Sequence, residues 1–528
     1  MTASREGNRI GIGDGLTVRR RSSGRGDGGA GDPVAMFIDT TTCIGCKACE
    51  VACQEWNGLP VEPTAQFGTY QTMPDLSANY WNLIKFNEIE ENGPLEWLMR
   101  KDMCLHCAEP GCLLACPVPG AIVQYRNGVV EIDPDTCIGC GFCITGCPFN
   151  VPKLHAVSGK AHKCTMCSDR LDVGLGPACV KACPTGCLEF GSKTSMLDLG
   201  ARRVEALKAD GHAQAGVYDP AGVGGTGVIY VLKHADRPQL YGDLPESPRI
   251  SPLLGFAKGP LRWLGGLFLG SIVLATVLHY LRVGPKSVPA HDSPPSGLGL
   301  IPAPLPVPRP APSGGRRVLR YTFADRVLHW SVALTFIYTA LTGLGLFFRP
   351  LAVLLALFGG GETVRVWHPI VATAFTALTL ALFAKWRKDV RLGREDLAWL
   401  KAIRQAALNR EERLPPAGRF NAGQKVFFIA VTLLALALFA SGIPLWFLEI
   451  AGAGVRTLCV LIHDAATVGA VALVILHIYM ATAATPGSFS AMLHGTVSEE
   501  WARRHHGAWK PEPVPDEELK GPDHPGGA

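Results

Sequence analysis

Residues 43–53 read Cys-Ile-Gly-Cys-Lys-Ala-Cys-Glu-Val-Ala-Cys, four thiols separated by two, two and three residues. The same build returns three times: Cys104, Cys107, Cys112 and Cys116; Cys137, Cys140, Cys143 and Cys147; and Cys164, Cys167, Cys179 and Cys183. Proline follows the last cysteine of the second, third and fourth runs. Three closely spaced thiolates wrap three irons of one cubane, and the fourth, a few residues on and commonly before proline, ligates the other cluster of a pair. The four runs therefore predict four 4Fe–4S clusters. Zinc ribbons place two C-x-x-C pairs about 15–20 residues apart. A disulfide scaffold does not require one spacing repeated four times. Both fit worse. Cys187 stands outside the runs and reads as a small buried residue, and Cys459 as helix packing.

Working outward, the 528-residue chain is 48% hydrophobic with a mean hydropathy of +0.18. That is too apolar for an ordinary soluble protein and too polar for a pure membrane bundle. A net charge of +5 leaves no footprint of nucleic-acid binding. The expected fold class is α+β: a tandem bacterial-ferredoxin-like four-cluster domain, one transmembrane anchor helix, then a four-helix transmembrane cytochrome b bundle. Residues 1–32 read as a disordered tail. Arg19-Arg20-Arg21 there is followed by glycine and aspartate rather than an apolar h-region, so no export signal is expected. The cluster domain covers 33–257, with strand-like runs at Ala121–Tyr125, Val129–Ile132 and Val228–Leu232 and a long helix near Ser195–Ala209. Gly222–Gly227 matches G-x-G-x-x-G, but a strand follows it rather than precedes it, so it reads as a turn.

The anchor spans 258–282, long enough for a bilayer core of about 30 Å. Ten prolines in 283–315 make an extended linker. The domain 316–510 holds four apolar spans, near Val327–Phe348, Val366–Trp386, Val426–Phe447 and Val455–Ala484, and 511–528 is a polar tail. Lys and Arg concentrate in 282–326, in 385–425 and in the tail, which predicts a multi-pass protein of the bacterial inner membrane with linker and C-terminus cytoplasmic. Five spans then put the cysteine domain on the periplasmic side.

Ionisable residues inside apolar spans are functional candidates. The bundle carries His329, His368, His463 and His477. His463 and His477 are 14 residues apart on one helix, so they share a face and differ in depth by about 21 Å. The predicted topology matches His368 with His463 on the outer side and His329 with His477 on the inner side. Such pairs suit bis-histidine ligation of two b haems. His279, at the end of the anchor, has no partner at its depth and reads as an interface residue.

These residues resemble a known family. Residues 36–286 are similar to the β (iron–sulfur) subunit of membrane-bound, periplasm-facing formate dehydrogenase. The likeness rests on Cys43–Cys49, Leu95-Glu96-Trp97-Leu98, Cys147-Pro148-Phe149-Asn150, Gly216-Val217-Tyr218 and His279-Tyr280. Residues 320–509 resemble its γ (cytochrome b) subunit through His329-Trp330, His368-Pro369, Asn421–Lys425, His463 and His477–Ala481. The departure is that one polypeptide carries both.

The resemblance implies a nested pairing of the runs that spacing alone does not choose. Cys43, Cys46 and Cys49 would join Cys183, and Cys164, Cys167 and Cys179 would join Cys53. Cys104, Cys107 and Cys112 would join Cys147, and Cys137, Cys140 and Cys143 would join Cys116. It implies the same haem pairing, and a cytoplasmic-side quinone site at Asn421, Gly423, Gln424 and His477. From the residues alone, 421–424 reads as a polar turn before a helix. It further implies a separate molybdenum- or tungsten-dependent catalytic α subunit, whose export signal would carry the cluster domain across, and a higher oligomer of the complex.

No nucleophile–base arrangement or phosphate loop is present, so the chain is expected to move electrons and reduce quinone rather than act on formate itself. The alternatives are the electron-transfer module of a hydrogenase or of a sulfur-compound reductase, and a membrane redox sensor.

Overall fold

A computed structural model describes residues 9–12, 16–19, 33–90, 95–286 and 316–511. The Pro-rich linker lies outside them, except for its first residues. The chain divides into two units: residues 1–260 with 344–365 and 444–461, and residues 261–343 with 366–443 and 462–528.

The first unit is organised by a four-stranded sheet in the order Leu188–Ser192, Val34–Asp39, Val228–Leu232, Gly216–Tyr218. Val34–Asp39 runs antiparallel to the first of these and parallel to Val228–Leu232. Because side chains alternate along a strand, the two faces do different work. Ala35, Phe37, Ile229 and Val231 pack with Met196 and Leu207. Met36, Ile38, Val228, Tyr230 and Leu232 face a core that contains Cys49, Cys104, Cys164 and Cys179. All five residues of Val228–Leu232 are buried, as expected for a strand covered on both sides.

Helix α1 (Ala48–Asn57) lies against strand Asn82–Ile89, and helix α2 (Lys193–Ala209), to which Met196 and Leu207 belong, packs on the sheet. Ser192 caps α2 by accepting from the Ser195 N–H. Helix α1 is a second long helix where the sequence reading predicts only one. It ends at Gly58 in the left-handed conformation. Within the run Gly222–Gly227, a short turn at Ala221–Val223 leads into strand Val228–Leu232, as its order in the sequence requires. A long hairpin pairs Asn82–Ile89 with Glu96–Met103. A short one pairs Ile122–Gln124 with Val130–Ile132 and backs a second core around Cys112, Cys116, Cys137 and Cys143.

Two expectations change here. Residues 1–32 contain paired strands, Arg9–Ile12 with Leu16–Arg19, so the reading of a disordered tail is corrected at those positions. The domain boundary also differs, since 344–365 and 444–461, expected to belong with the bundle, group with the cysteine domain. Specific polar contacts explain this. Arg349 donates to the carbonyls of Leu113 and Cys116. Arg456 donates to Thr145 Oγ1 at 3.2 Å, and Lys160 pairs with Glu362.

The second unit is helical. Five described helices are long and apolar enough to cross a membrane. They are α3 (Pro260–Val283), α4 (Phe323–Phe347), α5 (Gly360–Trp386), α6 (Ala422–Trp446) and α7 (Ala453–Tyr479), with some of their ends in the first unit. Trp263 and Leu267 of α3 are 73% and 70% exposed, a face suited to hydrocarbon rather than water. His279 of α3 meets the Tyr479 hydroxyl and the Ala407 carbonyl. Helix α7 ends in a π-helical turn, Met480–Ala484, a feature frequent at functional sites. A small polar-edged core closes one end of the unit. There Asp325 binds Lys385 at 3.0 Å and Trp386 Nε1, beside Phe420 and Trp501.

Candidate redox centres

The thiols are positioned by backbone conformation. Two residues after the first cysteine of each run stand Gly45, His106, Gly139 and Met166, all with positive φ, between 47° and 69°. That geometry turns the backbone N–H back onto the preceding sulfur. His106, Gly139 and Met166 donate to Cys104, Cys137 and Cys164 at 3.5, 3.4 and 3.3 Å, and Gly45 donates to Cys43. Only glycine takes such angles freely. At Gly45 a Cβ would also stand 2.6 Å from the Phe86 ring.

Side-chain direction then sorts the runs into sets. Cys49 and Cys53 lie one turn apart on α1, yet they line different cavities. One cavity is lined by Cys43, Cys46, Cys49 and Cys183. A second is lined by Cys53, Cys164, Cys167 and Cys179. A third is lined by Cys104, Cys107, Cys112 and Cys147. The remaining four, Cys116, Cys137, Cys140 and Cys143, are mutual electrostatic neighbours. The short helices bearing Cys112 and Cys143 cross where Gly111 meets Gly146. A Cβ on Gly111 would lie 2.3 Å from the Gly146 carbonyl oxygen, so only paired glycines permit that approach.

Cys187 is buried against the first set, with its Sγ 3.5 Å from that of Cys183. Its hydrogen bond to Cys43 holds the Cys43 thiol down to about 7. Most of the other thiols move the opposite way. Burial pushes Cys49, Cys140 and Cys167 up to about 12 and Cys147 to about 11. Four thiols converging on one space, most of them buried, are a costly arrangement unless a cation binds them as thiolates. The donor sets fit iron–sulfur cubanes.

The histidines come together as two pairs. His368 and His463 have ring centroids 6.5 Å apart, and His329 and His477 6.2 Å apart. An iron bonded to one nitrogen of each ring at about 2 Å, with each nitrogen about 1.1 Å from its centroid, requires roughly 6.2 Å. The spacing therefore fits axial ligation at both levels. Two residues that the sequence reading missed orient the His368–His463 pair. Thr342 Oγ1 bonds His368 Nδ1 at 2.8 Å, and Ser441 Oγ bonds His463 Nδ1 at 3.0 Å, which leaves Nε2 for a metal. Each hydroxyl is followed by a glycine, Gly343 or Gly442, whose open side faces the same ring. This hydroxyl–glycine pair, repeated on two helices, is the signal that was available. His477 instead stacks on Phe427 at 4.6 Å, with the rings 8° apart.

At the start of α6, Asn421 Oδ1 accepts from the Gln424 N–H at 2.9 Å, and Gln424 Oε1 accepts from the Asn421 N–H at 3.0 Å. This is a reciprocal cap, so the reading of a polar turn before a helix describes what both side-chain oxygens do. Gly423 lies against the Trp399 ring. Phe427, one turn on from Gln424, connects this helix start to His477.

Two 4Fe-4S dicluster domain profiles match residues 42–121 and 95–193. A profile for the formate dehydrogenase N transmembrane segment matches 250–293, and one for prokaryotic cytochrome b561 matches 320–495. A formate dehydrogenase iron-sulfur subunit of Haemophilus influenzae is 53% identical over 254 residues, 48% of this chain and 81% of that protein. The formate dehydrogenase-O iron-sulfur subunit of Escherichia coli is 52% identical over 255 residues, 48% of this chain and 85% of the relative. A formate dehydrogenase subunit beta of Megalodesulfovibrio gigas is 34% identical over 216 residues, 39% and 95% of the two chains.

Proposed function

The chain belongs to the family of formate dehydrogenase iron–sulfur subunits, continued on the same polypeptide into a cytochrome b domain, and from that premise we propose that it carries electrons from formate to membrane quinone. Formate is oxidised by a separate molybdenum- or tungsten-dependent α subunit on the periplasmic side of the inner membrane. When bound, four 4Fe–4S clusters and two b haems supply one-electron carriers whose potentials the protein sets.

The chain's own residues make the route. The four cysteine sets hold successive carriers and keep them dry, and the N–H groups of Gly45, His106, Gly139 and Met166 stabilise the thiolates. After one anchor helix, α3, a bundle of four, α4–α7, carries the haem histidines on α4, α5 and α7. His368 and His463 supply the outer level, oriented by Thr342 and Ser441. His329 and His477 supply the inner level. Asn421, Gly423, Gln424 and His477 border the quinone at the cytoplasmic side, where its reduction takes up protons. Electrons arriving from outside and protons from inside generate a proton-motive force.

The observation that carries the reading is the pair of histidine spacings, 6.5 and 6.2 Å, on a chain with four four-cysteine sets. Its test is to add formate to the purified complex, with the α subunit present, and record the haem spectrum. Haem reduction by formate is expected, followed by reoxidation on adding quinone. Reduction by hydrogen or a sulfur compound, and not by formate, would transfer the same electron path to another partner.

A further inference from the structure

Two lysines in the cysteine unit are buried without a carboxylate partner. Lys101 and Lys163 are 2% and 4% exposed, and neither forms an ion pair among the described residues. Lys101 Nζ meets Met103 Sδ at 3.1 Å. Lys163 Nζ donates to the carbonyls of Val130 and Cys164. The nearby acids are engaged elsewhere. Glu50 accepts from Thr72 and the Ile84 N–H, and Glu131 accepts from Tyr125 and Ser168. A buried ammonium without an anion costs several kcal/mol, so its counter-charge must lie among what surrounds it.

Their positions identify that counter-charge. Lys101 lines both the first and the second cysteine cavity, and its electrostatic neighbours are Cys179, Cys49, Cys164 and Cys53. Lys163 lines the third cavity, holds the carbonyl of Cys164 from the second set, and neighbours Cys104, Cys112 and Cys164. Each lysine thus stands at a junction between consecutive sets. Between the third and fourth sets the helices cross directly at Gly111 and Gly146, with no lysine in that contact.

Resting on the four-cluster reading, we propose that Lys101 and Lys163 are junction charges, each raising the reduction potentials of the two clusters it separates. The electrostatics are direct. A 4Fe–4S cubane on four thiolates is a net dianion when oxidised and becomes a trianion on taking one electron. A fixed positive charge in a low-dielectric interior stabilises the trianion more. Because one ammonium acts on both neighbours, it raises them together and keeps the step between them small.

The test is potentiometric titration of the whole complex followed by electron paramagnetic resonance, on Lys101→Met, Lys163→Met and the charge-preserving Lys101→Arg and Lys163→Arg. Lys101→Met should lower the first and second centres so that the reduced-to-oxidised ratio at fixed poise falls at least tenfold, 59 mV for one electron. Lys163→Met should do the same to the second and third. The fourth centre should stay in place in both, and the Arg variants should titrate like the parent. Unchanged midpoints in Met variants with full iron content would overturn the proposal. If the Met substitutions abolish clusters that the Arg substitutions retain, the charge serves assembly rather than potential, which also overturns it. Absence of 4Fe–4S signals from the unsubstituted complex would instead refute the underlying cluster reading.

Discussion

In the cysteine unit, three ligands of a set come from one short stretch, as in Cys43–Cys49, and the fourth arrives from another run. In the helical unit, each pair joins residues more distant in sequence, His368 with His463 and His329 with His477. The supports differ accordingly. Thiols that burial pushes up toward 12 need charge stabilisation, and they receive backbone N–H donors and buried lysines. Neutral imidazoles need only direction, and at His368 and His463 one hydroxyl each supplies it. The charge of the ligand decides whether its surroundings must compensate or merely orient.

The most severe way to break this comparison is to remove a thiol that crosses between runs. Cys53→Ser should cost about four irons of roughly 18 in the fully loaded chain. The signal lost should belong to the set with Cys164, Cys167 and Cys179, although Cys53 lies in the first run. Iron analysis with spin-resonance spectra checks this, and loss of the first-set signal would reverse the pairing.

Next in size are the histidines of α7. His463→Ala should remove the outer haem and stop electrons before the inner one. His477→Ala should remove the inner haem, leaving the outer haem reducible by formate while quinone reduction fails. Haem content and reduced-minus-oxidised spectra of each variant decide it. Both haems persisting in His477→Ala would refute the depth assignment.

A smaller effect sharpens the contrast in packing. Gly111→Ala forces apart two helices whose backbones touch, with an expected cost of about 1–3 kcal/mol. Gly176→Ala, where a Cβ meets nothing within 4 Å, is the control. Thermal denaturation of the two variants should separate them by several degrees, and equal midpoints would remove the close-contact argument.

The mildest changes are Thr342→Val and Ser441→Ala. Each should leave haem bound yet weaken its retention by roughly tenfold, the usual cost of losing a group that orients a ligand. Haem loss to an apo-protein acceptor measures it. Parent-like retention in both variants would show that helix packing alone directs these rings.

Sequence alone set the main expectations for this protein. Four cysteine runs carried their chemistry in local spacing, because a cubane takes three ligands from one turn of chain. The five apolar spans were legible because a bilayer core demands length and composition together, and α3–α7 fall at the expected places. The expected depth pairing of the histidines came from helix pitch, which sets His463 and His477 apart, together with the topology expected from the basic loops. Tertiary structure placed Cys49 and Cys53, neighbours on one helix, in different cavities, a sorting that spacing left open and only the resemblance implied. It also put Lys101 and Lys163 at the junctions and brought Thr342 and Ser441 to the imidazoles. It gave the oxygens of Asn421 and Gln424 to a helix cap and grouped residues 344–365 and 444–461 with the cysteine unit. Those outcomes depend on contacts between residues far apart in the chain, and a single such contact leaves no periodicity or spacing in the sequence to reveal it.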